Sequence, residues 1–187
     1  MRLPFLFSAF MALCLGVSAA TTAVAACNAD IVSTRPDGRY IDHGDGTVTD
    51  TVTGLMWKQC SEGLSSVNAP CDTGYLSTFT WRMALDHADA VNRAGGFAGY
   101  TDWRLPNYKE LFSLVELKCY DPAINTTLFP DTVSSIAAGL LKYYWTSSPY
   151  LSDGNSQNLS WAVFFYSGVP LAVPRTEFNL VRLVRGQ

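Results

Sequence analysis

Charge is scarce in this sequence. Only 16% of its 187 residues are Asp, Glu, Lys or Arg, and 13 basic against 16 acidic residues leave a formal charge of -3. A protein held by nucleic-acid phosphates needs a dense basic face, so nucleic acid is excluded as a partner. Histidine is scarcer still, at two residues, and the cysteine spacings match no zinc pattern, so neither a metal nor any other cofactor is expected. There is no Gly-rich phosphate loop, no nucleophile elbow and no supported Cys–His pair, which removes the commonest catalytic constellations. Internal repeats, linkers and a collagen-like Gly-X-Y region are also missing. What is plentiful is apolar surface: 48% of residues are hydrophobic and 13% aromatic, enough for one packed domain of ordinary size.

An apolar run without charge, Phe5 to Val17, follows Arg2 and precedes small residues ending Ala23-Val24-Ala25-Ala26. It is shorter than the ~20 residues a bilayer-spanning helix needs. Residues 1–26 therefore read as a secretory signal peptide and 27–187 as a single extracytoplasmic domain with no membrane span after cleavage. A lipoprotein modified at Cys27 is a minor alternative. Loss of Arg2 leaves twelve basic against sixteen acidic residues, a net charge of -4. Cys14 departs with the leader, and Cys27, Cys60, Cys71 and Cys119 remain in a chain bound for an oxidising compartment. Four cysteines allow three connectivities. The short polar loop between Cys60 and Cys71 favours that pair, leaving Cys27 with Cys119.

Along the domain, Tyr40–Asp42 and Thr47–Thr49 flank His43-Gly44-Asp45-Gly46, the pattern of a β-hairpin. Asp42, Asp45 and Asp50 lack the alternating spacing of a calcium loop and read as turn-stabilising aspartates. Trp81, Ala84, Leu85, Ala88 and Val91 keep a 3.6-residue period, with Thr80 as N-cap and Gly95 at the end. Tyr108, Leu111, Phe112 and Val115 repeat it after an Asn107–Glu110 capping pair. A weaker amphipathic segment spans Val133 to Leu141. Tyr143–Thr146, Trp161–Tyr166 and Leu180–Arg185 are β-favouring, with a turn at Ser167-Gly168. Between the first two, Pro149 to Ser160 is a long polar loop of the kind that carries binding groups.

The segments DHGDGTVTD (Asp42–Asp50), TGLMW (Thr53–Trp57), YTDWRLPNYKEL (Tyr100–Leu111), YWTSS (Tyr144–Ser148) and VRLVRG (Val181–Gly186) occur together and in order. In this the chain resembles the Lcl C-terminal domain family of bacterial exported proteins over roughly residues 35 to 186. The resemblance implies an α+β, C-type-lectin-like fold: two helices packed on a twisted antiparallel sheet, disulfide-stapled, with first and last strands paired. It also implies an adhesive role, since the family is named for the C-terminal domain of a collagen-like adhesin that binds sulfated polysaccharides. The mature charge of -4 gives this chain no global attraction for polyanions.

The calcium-lectin triplets Glu-Pro-Asn, Gln-Pro-Asp and Trp-Asn-Asp do not occur. The Trp103–Pro106 and Val181–Arg185 segments also resemble formylglycine-generating enzymes, but no cysteine follows Cys119 to serve as the nucleophile. Asp102, Glu110 and Glu116 could be general acids, yet their spacing makes them loop, cap or helix-surface residues. The reading is a non-catalytic binding or adhesion module for a glycan or surface protein. In that reading Tyr150 stacks on the ligand, while Asp153, Asn155, Gln157, Asn158, Arg175 and Glu177 supply hydrogen bonds. Arg182 and Arg185 are assigned to the scaffold, and Trp57, Trp81, Trp103, Trp145 and Trp161 to the core. The alternatives are a formylglycine-generating-type enzyme and a structural subunit of a surface assembly.

Overall fold

A computed structural model describes residues 25–65, 71–132, 142–151 and 158–186. Residues 1–24 of the expected leader and the amphipathic segment from Val133 to Leu141 lie outside them. The described residues are α+β, with two α-helices and antiparallel sheets. Strand β1 (Ala26–Cys27) is followed by the hairpin β2 (Tyr40–Asp42) and β3 (Thr47–Asp50), by β4 (Met56–Lys58), and by the short pair β5 (Leu64–Ser65) and β6 (Thr73–Gly74). Helices α1 (Trp81–Arg93) and α2 (Tyr108–Phe112) come next. Then come β7 (Cys119–Tyr120), β8 (Tyr144–Pro149), β9 (Leu159–Phe164), β10 (Val169–Pro174) and β11 (Val184–Arg185).

The hairpin forms where expected because Asp side chains close its turn. Asp42 accepts from the Gly44 amide at 2.9 Å and Asp45 from the Thr47 amide at 3.0 Å, with Gly44 and Gly46 at positive φ. Asp50 is fully buried and receives Arg39 through two charge-assisted bonds of 2.7 and 2.5 Å. These are the oxygens a calcium reading would have needed. Among the described residues no cluster of three or more His, Cys, Asp and Glu side chains could hold a metal ion.

Helix α1 starts at Thr80, whose hydroxyl accepts from the Met83 amide, and buries Ala84 and Ala88. Helix α2 starts with both halves of its capping box formed by Asn107 and Glu110. It is shorter than the periodicity of Val115 suggests. The Ser113 hydroxyl turns back to the Glu110 carbonyl at 2.7 Å, and Val115 leaves the helix to bridge Ile124.

Strands β8, β9 and β10 form a sheet between the two helices, with β9 central. On one face Trp145, Ala162 and Val173 pack with Ala84 and Ala88 of α1. On the other, Tyr144 and Val163 pack with Leu111 and Leu114 beside α2. Strand β10 is not apparent in the sequence because Pro170 and Pro174 interrupt it. As the sheet's edge it tolerates prolines that a central strand could not.

The closing strand corrects one expectation. Strand β11 pairs with β4, not with the first strand, and β1 pairs with β7. Most of the expected strand from Leu180 to Leu183 is a buried lead-in that pairs irregularly: the Lys58 amide donates to the Leu183 carbonyl and the Glu62 amide to the Val181 carbonyl.

The bridges are Cys27–Cys119 and Cys60–Cys71, the pairing favoured by loop length. With its cysteines 92 positions apart against 11, the first restricts the unfolded chain more than the second, by roughly 4–5 against 3 kcal/mol in the chain-entropy account.

Arg182 is fully buried at the junction of these elements. It donates to the carbonyls of Lys58 at 3.2 Å and Gln59, to Thr132 Oγ1 at 2.9 Å, to Asp131 Oδ1 at 3.1 Å and to Ser61 Oγ at 3.3 Å. Its guanidinium also lies over the rings of Phe129 and Tyr144. Removing it leaves the buried Asp131 carboxylate without its countercharge, held among the described residues only by the Ser61 amide at 2.8 Å. Arg182→Ala is therefore expected to lower unfolding free energy by about 3–5 kcal/mol. Arg182→Lys should fail to restore it, because an ammonium lacks the planar fork. Urea titration followed by tryptophan emission measures both.

Glu116 is a second correction, since spacing placed it on a helix surface and the structure buries it. Its carboxylate accepts from Ser33 Oγ at 2.5 Å, from Thr34 Oγ1 and the Thr34 amide at 2.9 Å, and from the amides of Arg35 and Lys118. Burial alone would raise its pKa, but these donors outweigh burial and hold it at about 2. A lowered folded-state pKa means that the stabilisation is complete above the ordinary value near 4.5 and is lost as pH falls from there towards 2. Melting temperature against pH should decline through that window, and Glu116→Gln should start lower and decline less.

Candidate functional site

The polar loop between β8 and β9 rises from one end of the three-stranded sheet. Its described ends are Tyr150-Leu151 and Asn158, whereas Asp153, Asn155 and Gln157 lie outside the described residues. Side chains alternate along β9, so Ser160 and Trp161 point to opposite faces and the site has two sides.

On the α2 side the surface is aromatic. The capping box sets Tyr108 at the first turn of α2, and Phe112 follows four residues later on the same helix face, with ring centroids 5.8 Å apart. Tyr108 lies 5.1 Å from Trp161, and Tyr150 meets Trp161 edge-on at 4.9 Å. All four rings are half-buried. Together they form a ledge that runs from α2 across β9 to the root of the polar loop. The Tyr108 amide donates to Ser148 Oγ at 3.0 Å, fixing α2 against β8 beneath the ledge.

On the α1 side Arg175 acts as a latch. Its amide donates to the Asn158 carbonyl at 2.7 Å, and its Nε to the Leu159 carbonyl at 3.1 Å and Ser160 Oγ at 2.8 Å. Its guanidinium stacks 4.2 Å from the centre of the Trp81 ring. Trp81 is itself anchored through Nε1 to the Thr146 carbonyl at 2.8 Å. A shallow depression of about 580 Å³ opens here, lined by Thr80, Trp81, Arg82, Arg175 and Thr176. Glu177 is exposed in the turn that follows, and its amide donates to the Pro174 carbonyl at 3.0 Å.

Of the residues assigned to ligand binding, Tyr150 thus joins the ledge, while Arg175 is committed to holding the loop's return strand. Asn158 lends its carbonyl to that latch and leaves its side chain exposed. Other residues of the surface were assigned elsewhere. Trp57, Trp103 and Trp145 are buried as expected, at 1% exposure or less, but Trp81 and Trp161 are half-exposed. Trp161 shares the period-two face of Val163, so its direction was legible in the sequence; what lies over it was not. Tyr108 was read only as a helix-core position.

The arrangement nearest to a reaction centre lies apart from this end. Glu62 is buried between Lys58 Nζ at 2.6 Å and His87 Nε2 at 2.7 Å. Burial would raise its pKa, but His87 and Lys58 together lower it. Lys58 is covered by the Phe97 ring and His87 stacks on Phe79, both at 4.5 Å; Lys58 and Glu62 are buried, and His87 keeps part of its ring exposed. Asp102 and Glu110, the other candidate acids, are paired with Arg185 at 2.7 Å and Arg104 at 2.8 Å.

Fold and site together define a disulfide-stapled α+β domain that presents an aromatic surface beside a polar loop. The Lcl C-terminal domain model matches residues 46–185, and the chain belongs to that family. Comparison with curated proteins gave no match. Two disulfides and membership of this family point to an extracellular domain. No helix among the described residues is long and apolar enough to cross a membrane.

If Arg175 is a latch, Arg175→Ala should lower stability by about 1–2 kcal/mol and change Trp81 emission as the indole loses its cover. Glu177→Ala, at an exposed position, should stay within about 0.5 kcal/mol of the parent. Chemical denaturation with fluorescence detection separates the two.

Proposed function

We propose that this protein is an exported binding or adhesion module that recognises a glycan, or a surface protein, and performs no chemistry on it. The observation that carries this reading is the ledge of Tyr150, Trp161, Tyr108 and Phe112, whose half-buried rings continue from one to the next beside a polar loop. Rings of this kind offer flat apolar faces to the C–H face of a pyranose, and flanking loop side chains can bind its hydroxyls. The scaffold beneath is rigid: a capping box, an Arg latch and a central sheet hold the rings at fixed spacing, so little ordering entropy is lost on binding.

The absence of a thiol among the described cysteines also supports a non-catalytic role. Cys27, Cys60, Cys71 and Cys119 are all in disulfides, whereas formylglycine-type oxidation needs a reactive cysteine pair in the C-terminal part of the domain. The ion pairs at Glu62, Glu110 and Asp102 speak in the same direction, because they lower each pKa and keep the carboxylate ionised, whereas a general acid must carry a proton to give.

The test is a glycan array probed with residues 27–187, with and without calcium. Bound glycans should lose affinity about tenfold or more in Trp161→Ala and Tyr150→Ala, a loss of the order of one stacked ring. Replacing residues 150–158 by Gly-Ser should weaken binding further. Binding that survives all three changes removes this end of the sheet from the account, and turnover of a cysteine-containing peptide in the presence of copper replaces it with an enzyme.

A further inference from the structure

The two disulfides differ in what surrounds them. Cys60 and Cys71 are 4% and 5% exposed. Cys27 is exposed and Cys119 half-buried, and both line a groove of about 220 Å³ that also contains Arg35, Lys118, Glu116 and Asn125. The segment leading away from Cys27 has a second anchorage. Glu116 binds residues 33–35 through four hydrogen bonds, and Asn125 donates to the Arg35 carbonyl at 3.0 Å and to Asp37 at 2.7 Å. What depends on the bridge alone is the pairing of β1 with β7, which cleavage after Ala26 reduces to Cys27 opposite Cys119, and the bond from the Asn28 amide to the Lys118 carbonyl at 2.8 Å.

We propose that the Cys27–Cys119 bridge is a site of covalent modification by small-molecule thiols, where disulfide exchange proceeds in the native fold. An incoming thiol loses its proton to solvent, and its thiolate attacks Cys27 Sγ, the exposed sulfur. A new S–S bond forms as the Cys27–Cys119 bond breaks, and the electron pair leaves with Cys119, whose thiolate takes up a proton from solvent. The product is a mixed disulfide at Cys27 and a free thiol at Cys119. A second equivalent of thiol can then attack the mixed disulfide, leaving Cys27 reduced and the small thiol oxidised to its dimer. Rates of exchange follow access to the attacked sulfur and stabilisation of the departing thiolate. The groove provides access, and Lys118, adjoining Cys119 and lining the same groove, supplies the cation.

Local opening is what distinguishes this bridge from its partner. Exchange at Cys27 requires only β1 to leave β7, whereas exchange at Cys60–Cys71 requires a buried sulfur to reach solvent. Exchange at this bridge is independent of ligand recognition and proceeds whether or not the aromatic ledge binds a glycan.

The experiment exposes the oxidised protein to reduced glutathione at neutral pH without denaturant, quenches with N-ethylmaleimide at intervals, and maps the four cysteines by mass spectrometry. Far-UV circular dichroism is followed in parallel. The expected result is glutathione on Cys27 and maleimide on Cys119, appearing at least about tenfold faster than any label on Cys60 or Cys71, with the spectrum unchanged. Equal rates at both bridges, earlier labelling of Cys60 or Cys71, or opening of Cys27–Cys119 only in step with loss of the spectrum would overturn the proposal.

Discussion

A guanidinium with no exposed surface stands at the point where the parts of this molecule meet. Arg182 lies in the lead-in to β11, and its hydrogen bonds reach the end of β4, the turn at Ser61 and the residues Asp131 and Thr132. Its faces rest on Phe129 and Tyr144, which belong to the cluster that also holds Leu111 and Val163. One charged group thus satisfies carbonyls that have no strand partner and fixes the β2–β3–β4–β11 sheet to the sheet of β8, β9 and β10. Tyr144 responds to the same enclosure: burial pushes its phenol up to about 12, so its hydroxyl stays protonated in the bond with Ser61. A buried ion pair of this kind is costly to break and expensive to desolvate, and its use here is to specify one arrangement of irregular chain.

The motifs that tie the chain to its family are scaffold motifs. In Asp42–Asp50, the aspartates close a hairpin and bind Arg39. In Tyr100–Leu111, Trp103 and Asn92 exchange hydrogen bonds of 2.9 and 2.7 Å, and Arg104 grips Glu110 in a bidentate pair. In Val181–Gly186, Arg182 fills the junction and Arg185 pairs with Asp102 while stacking on Tyr100. Of the four ledge residues, Tyr108 lies within the Tyr100–Leu111 segment, whereas Phe112, Trp161 and Tyr150 lie outside all five segments.

Local physics made much of the fold legible. The Thr80 cap, the Asn107–Glu110 box and the glycine turns depend on residues a few positions apart, and each stands where the sequence put it. Features that depend on distant partners were hidden. Val115 fits the helical period, yet Ile124 takes it out of the helix. Pro170 and Pro174 argue against a strand until β10 is known to be an edge. Glu116 looks like a surface residue until Ser33 and Thr34 arrive from 83 and 82 positions away. The candidate site was legible at its root in Tyr150 and in the polarity of the loop. The exposure of Trp161 was not, because it depends on which helix stops short of covering it, and α2 is only five residues long.

On the proposed function, the end of the sheet bearing Trp161, Tyr150 and Tyr108 is the recognition surface. Nuclear magnetic resonance titration addresses it most directly, with aromatic side chains labelled and a panel of neutral and sulfated hexasaccharides added in turn. The account predicts saturable shifts of the Trp161, Tyr150 and Tyr108 rings with at least one sugar, while Trp57, Trp103 and Trp145 stay fixed. Shifts that spread through the buried indoles, or that gather elsewhere and leave Trp161 unmoved, would contradict it.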